Sequence, residues 1–99
     1  MNLNLSEKLK TGLTPQEKID CYDSAIEGIK VADYGICLEL SLCFMHSKLC
    51  ISYNDIGKLF PEFANLKPLA KEFEQYWFNS TKERIQVLNK LIEEQKKLL

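Results

Sequence analysis

The sequence predicts an all-α fold: a compact bundle of four to five helices around a buried central helix at about residues 36–50, closed by a long C-terminal helix at about 81–98. Three observations carry that expectation. Four glycines and three prolines in 99 residues are too few for an all-β chain, which must turn every few residues. Apolar side chains recur at three- and four-residue steps rather than in alternation. Two segments open with Ser or Thr followed three residues later by Glu, the pattern that satisfies the unpaired amides of a helix start. With 45% hydrophobic and 27% charged residues the composition is that of a globular protein, and the length suits one domain, 1–99.

The first element starts at Thr14-Pro15-Gln16-Glu17, which joins an N-cap threonine, a proline at the first helical position and a glutamate at the third. Ile19, Tyr22, Ile26 and Ile29 then form one apolar stripe, and the helix is expected to run to about Asp33, with Gly35 as its stop or kink. Residues 36–50 are apolar nearly all round, which a helix tolerates when neighbours cover most of its circumference. Ser52 caps the next helix, Asp55 sits in its first turn, and Ile56, Leu59 and Phe60 follow before Pro61 ends it in the turn Phe60–Phe63. Leu66, Leu69, Phe73 and Trp77 keep helical spacing, so a helix is expected at about 68–77. Ser80-Thr81-Lys82-Glu83 is the second capping box. It opens a helix whose near-heptad stripe is Ile85, Leu88, Ile92 and Leu99, widened by Leu91 and interrupted by Gln95. That stripe is expected to pack onto the 36–50 helix; its alternative fate is a homodimer through the C-terminal helix, although it spans fewer heptads than a coiled coil usually needs.

A formal net charge of −1 offers no positive field to gather phosphates, so nucleic acid is disfavoured as a partner. The charge is nevertheless uneven. Residues 14–33 hold five acids against two bases, and residues 81–99 hold five bases against three acids. Two solvated faces on complementary neighbouring helices explain this most simply. The first thirteen residues alternate polar and apolar side chains without a basic stretch leading into an apolar run, so the expected location is cytoplasmic. The most apolar segment, 36–45, contains Glu39 and Ser41 and is too short to span a bilayer, so no membrane association is expected.

Cys43, His46 and Cys50 share one face of a 36–50 helix and invite a metal reading. A rise of about 1.5 Å per residue, however, sets Cys43 and Cys50 roughly 10 Å apart, too far for a shared zinc with sulfur bonds of about 2.3 Å. Cys21 and Cys37 are isolated in the sequence, and all four thiols read as buried, reduced small hydrophobes. Cysteine catalysis with His46 lacks a third residue to orient the base. The pairs Asp20/Asp23, Glu72/Glu74 and Glu93/Glu94 lie in polar stretches that do not tune carboxylates for acid–base work. No phosphate-cradling glycine pattern occurs. No catalytic residue, metal or cofactor is therefore expected.

Residues 42–60 resemble a helix-turn-helix, but the following segment offers only Lys67 and Lys71 where groove reading wants several basic or amide side chains. The clearer signal is aromatic. Six of the ten aromatic residues fall between 60 and 78: Phe60, Phe63, Phe73, Tyr76, Trp77 and Phe78. Neighbouring helical residues point about 100° apart, so Tyr76, Trp77 and Phe78 cannot share one core stripe, and large aromatics are favoured interface anchors. The candidate partner-binding residues are Phe73, Tyr76, Trp77 and Phe78 with the adjoining cations Lys82 and Arg84.

The run Ile51-Ser52-Tyr53-Asn54-Asp55-Ile56, with Phe60-Pro61-Glu62-Phe63, Lys67-Pro68, Trp77-Phe78-Asn79 and a closing helix bearing Arg84, resembles short helical proteins carried by bacteriophages and mobile elements. The resemblance covers about half the chain and transfers no functional residue. It implies a stoichiometric inhibitor of a host protein, a bacterial defence system being the specific case. The expected function is thus a non-enzymatic protein-binding module with a host or self protein as partner. A small DNA-associated regulator and an oligomeric sponge for a nucleotide messenger are the alternatives from other classes.

Overall fold

The computed structural model describes residues 3–45, 51–66 and 80–99, and the fold there is all-helical. Six helices lie among the described residues: α1 (Leu5–Thr11), α2 (Pro15–Ala32), α3 (Ile36–Ser41), α4 (Tyr53–Leu59), α5 (Pro61–Leu66) and α6 (Thr81–Lys96).

α1 was not anticipated from the sequence. Asn4 supplies its cap by accepting from the Glu7 amide at 3.0 Å, and Gly12 ends it at φ 77°, a left-handed backbone that a side chain would strain. None of its residues is buried. The Thr14 box that opens α2 forms in full: the Thr14 hydroxyl accepts from the Glu17 amide at 3.1 Å, and the Thr14 amide donates to Glu17 Oε1 at 2.9 Å. Ile19, Tyr22, Ile26 and Ile29 are buried as their spacing requires, joined by Cys21 and Ala25. The stop comes at Asp33, whose φ of 56° is left-handed, while Gly35 becomes the N-cap of α3. Asp tolerates that conformation better than most residues, so no glycine is needed there.

The helix expected over 36–50 is shorter than its apolar composition suggests. α3 ends at Ser41, and after Leu42 the amides of Cys43 and Phe44 bond back to residues three before them, Leu40 O and Ser41 O. Ser41 turns its hydroxyl onto the Cys37 carbonyl at 2.8 Å, a back-bond that bends helices. The N-terminal strand residue then takes over: Leu3 N donates to the Cys43 carbonyl at 2.9 Å, and Met45 N donates to the Leu3 carbonyl at 2.5 Å. Burial survives at Ile36, Cys37, Leu40, Cys43 and Phe44, whereas Leu42 and Met45 are exposed.

α4 forms under its Ser52 cap, which accepts from the Asp55 amide at 3.1 Å. Pro61 does end α4, but the expected turn at 60–63 is instead the start of α5, because proline's fixed φ suits a first helical position as well as it disrupts a preceding one. The helix expected at 68–77 lies outside the described residues. α6 opens with Ser80 accepting from the Glu83 amide at 3.2 Å and closes at Lys96, two residues short of the expected end. Leu99, assigned to its stripe, lies beyond the helix and is exposed, whereas Gln95, which interrupts that stripe, is buried.

Among the described residues α2 is the packing hub, in place of the expected central helix: its most extensive interface is with α6 and its next with α3. Leu88, Leu91 and Ile92 of α6 are buried in the core, and the principal described neighbour of α6 is α2; residues 46–50 of the segment expected to receive that stripe lie outside the described residues. Asp33 at the end of α2 bonds Arg84 at the start of α6, while Tyr22 and Gln95 share Glu62, so the two helices run antiparallel. The acid-rich and base-rich segments are thus neighbours. Phe60 meets two rings in the core, Tyr22 tilted against it at a centroid distance of 5.5 Å and Phe44 edge-on at 6.3 Å. Full burial of each such side chain contributes about 1.5–3 kcal/mol.

Candidate functional site

At the corner where α2 gives way to α3, Asp33 in its left-handed turn accepts from the Thr81 hydroxyl and from Arg84 Nη2. Its helix-breaking backbone thereby pins the start of α6. The Thr81 hydrogen bond, with the Arg84 guanidinium behind it, holds the Asp33 carboxyl below its ordinary range. On either side of this clasp, two large apolar side chains face solvent. Val31 is 87% exposed and Tyr34 49%. Two helical steps, about 200°, separate Val31 from the buried Ile29, so Val31 lies on the face away from the core.

Of the candidate partner-binding residues, Lys82 is exposed on the first turn of α6, beside the clasp. Arg84 is 8% exposed and its guanidinium is engaged with Asp33 and Thr81, so it organises the corner from beneath. Phe73, Tyr76, Trp77 and Phe78 lie outside the described residues. Val31 and Tyr34 were missed by the sequence reading. Their signal was available: both are apolar positions off the Ile19–Ile29 stripe, beside the point where the helix must stop.

A second polar cluster ties the other end of the hub. Glu62 on α5 accepts from Lys18 Nζ at 3.0 Å, from the Tyr22 hydroxyl at 2.5 Å and from Gln95 Nε2 at 3.3 Å. Burial, followed by the bond to the Glu62 carboxylate, pushes the Tyr22 phenol well above its ordinary value. A phenol held so firmly protonated donates a structural hydrogen bond and is a poor base. The cluster therefore joins three helices.

Two further buried groups lie on the α2–α3 contact. The Glu39 side chain occupies the space above Gly28, where a Cβ would stand 2.1 Å from its carboxylate oxygen, and burial raises its pKa. Cys21 and Cys43, far apart in sequence, meet here. Among the described residues no group of three His, Cys, Asp or Glu is placed to hold a metal ion, and no helix is long and apolar enough to cross a membrane. His46 and Cys50 lie outside those residues. No protein-family model, curated protein or solved structure matches the chain.

Proposed function

We propose that the chain is a non-catalytic protein-binding module whose docking surface is the α2–α3 corner, centred on Val31 and Tyr34 with Lys82 at its edge. The observation that carries this reading is the exposure of Val31, 87%, beside a half-exposed Tyr34 on a backbone held by the Asp33 clasp. Apolar groups on a rigid support lose little conformational freedom on docking, which favours affinity. An aromatic anchor is also enriched in protein interfaces, and Lys82 at the edge suits their polar rim. The candidate residues Phe73, Tyr76, Trp77 and Phe78 stay part of the proposal as positions close in sequence to Ser80 and α6. The resemblance to phage-borne proteins makes a stoichiometric inhibitor of a bacterial defence protein the specific form of this proposal, acting in the cytoplasm.

The test is capture from a bacterial lysate by the immobilised full chain, compared with Val31→Lys and Tyr34→Ala. Lysine suits the carboxyl end of a helix, so the first variant should keep α2 intact. The expected result is a protein retained at a fixed ratio by the wild type and lost by both variants, with their helical circular dichroism unchanged. Retention by both variants would remove the corner from consideration. A nucleotide co-purifying in place of protein would replace this reading with the sponge, and retention on DNA-cellulose at low salt would replace it with the DNA-associated regulator.

A further inference from the structure

Cys21 lies within α2 and Cys43 just beyond the end of α3, and they are 0% and 2% exposed. Cys43 Sγ sits 3.8 Å from the Cys21 carbonyl oxygen and 3.9 Å from that of Glu39, so the two cysteines meet across the α2–α3 contact. The backbone of Cys43 is held by its bond from Leu3, so the sulfur's position is set by packing on both sides. Ser24, one turn along α2 from Cys21, is exposed, so the surface of the helix lies one turn from the buried pair.

We propose that Cys21 and Cys43 form a reversible dithiol, which a hydroperoxide converts into an intramolecular disulfide stapling α2 to the segment after α3. Cys43 is the attacking sulfur. Its hydrogen bond with Cys21 holds it below the ordinary thiol range, while the same bond, reinforced by burial, pushes Cys21 above it. In the first step the Cys43 thiolate attacks one peroxide oxygen, the O–O bond breaks, and hydroxide leaves with the electron pair, giving a sulfenic acid. In the second, Cys21 loses its proton and attacks the Cys43 sulfur, the S–S bond forms, the S–O bond breaks, and the oxygen leaves as water. Two thiols and one hydrogen peroxide thus give one disulfide and two waters, the two electrons passing from sulfur to oxygen.

The full-length protein, folded and reduced, is treated with hydrogen peroxide, denatured with an alkylating agent present, and analysed by intact mass and peptide mapping. The expected result is loss of two hydrogens per chain, a linked peptide pair containing Cys21 and Cys43, reversal by dithiothreitol, and a higher Tm for the oxidised form because the cross-link restrains the unfolded chain. A Cys37→Ser/Cys50→Ser variant should give the same linked pair. A link through Cys37 or Cys50, a link between chains, a link that forms only in denaturant, or both thiols still alkylated after peroxide would each overturn the proposal.

Discussion

Glu39 is an acid set within the described core. The residue is 5% exposed, and no ion pair among the described residues reaches it. The absent side chain of Gly28 leaves the space it fills. Burial raises its pKa above the ordinary 4.5, so the folded chain binds this proton more tightly than the unfolded one. The stability Glu39 allows is therefore complete below its unfolded pKa and declines as pH rises through the folded value. Glu17 and Asp33 act in the opposite sense. The Lys8 ammonium, first, and the Thr14 amide hold Glu17 low, and Thr81 and Arg84 hold Asp33 low, so their contributions exist above the unfolded pKa values and are lost on acidification. Glu39→Gln is expected to stabilise the protein at pH 7 by up to about 1 kcal/mol, with the advantage shrinking toward pH 4. Urea unfolding of both proteins across that range measures it, and a constant difference would show that Glu39 does not titrate in a buried setting. Tyr22→Phe removes only a hydroxyl, but it leaves the Glu62 carboxylate one donor short, and should cost about 0.5–1.5 kcal/mol.

Glu62 acts at the scale of elements, because one side chain on a six-residue helix reaches both α2 and α6. Its removal in Glu62→Ala leaves the buried Tyr22 hydroxyl without its acceptor and frees α5, for an expected loss of about 2 kcal/mol. The double variant with Tyr22→Phe should cost less than the sum, and strict additivity in denaturant unfolding would mean the pair does not couple. Caps matter at the same scale. Ser80→Ala deprives α6 of the acceptor for its Glu83 amide and should cost about 1 kcal/mol. Such local signals were legible in the sequence: the Thr14, Ser52 and Ser80 starts all form, since a cap depends on residues within one turn. Ends and partners were less legible. α3 stops where Leu3, about 40 positions away, supplies the competing backbone bonds, and Gln95 is buried because Glu62 from another helix meets it. α1 has no apolar stripe to announce it and rests on the Asn4 and Gly12 caps. The same reasoning separates Lys82 from Arg84. Two cations on one helix turn look alike in sequence, and only the arrival of Asp33 draws one of them inward.

Across the whole molecule, α2 is the span on which the other elements are assembled. Its 18 residues extend about 27 Å, comparable with the shortest dimension of the chain, 25 Å. The radius of gyration, 12.3 Å, matches the value of about 13 Å for a single folded domain of 100 residues. Ile29, fully buried at the hub, is therefore a position where truncation to alanine should cost about 2–5 kcal/mol, a large part of the roughly 5–15 kcal/mol that holds a typical domain folded. α1 is bound very differently. It buries no residue of its own and is attached by partly buried Leu5, a small contact with α4, the Lys8–Glu17 ion pair at 2.7 Å and the Leu3 bridge. An ion pair near the surface contributes at most about 1 kcal/mol, so α1 has little to oppose the entropy gained when it detaches. Stability is then uneven, with α2 and α6 opening only on global unfolding and α1 opening on its own. Native-state hydrogen exchange should show α1 amides exchanging through openings of about 1–3 kcal/mol, insensitive to Ile29→Ala, while amides from Tyr22 to Ile29 lose protection by the full cost of that substitution. If α1 proves as protected as α2 and loses protection with it, the first helix belongs to the cooperative core, and the Leu3 bridge binds it far more strongly than two backbone hydrogen bonds and one ion pair account for.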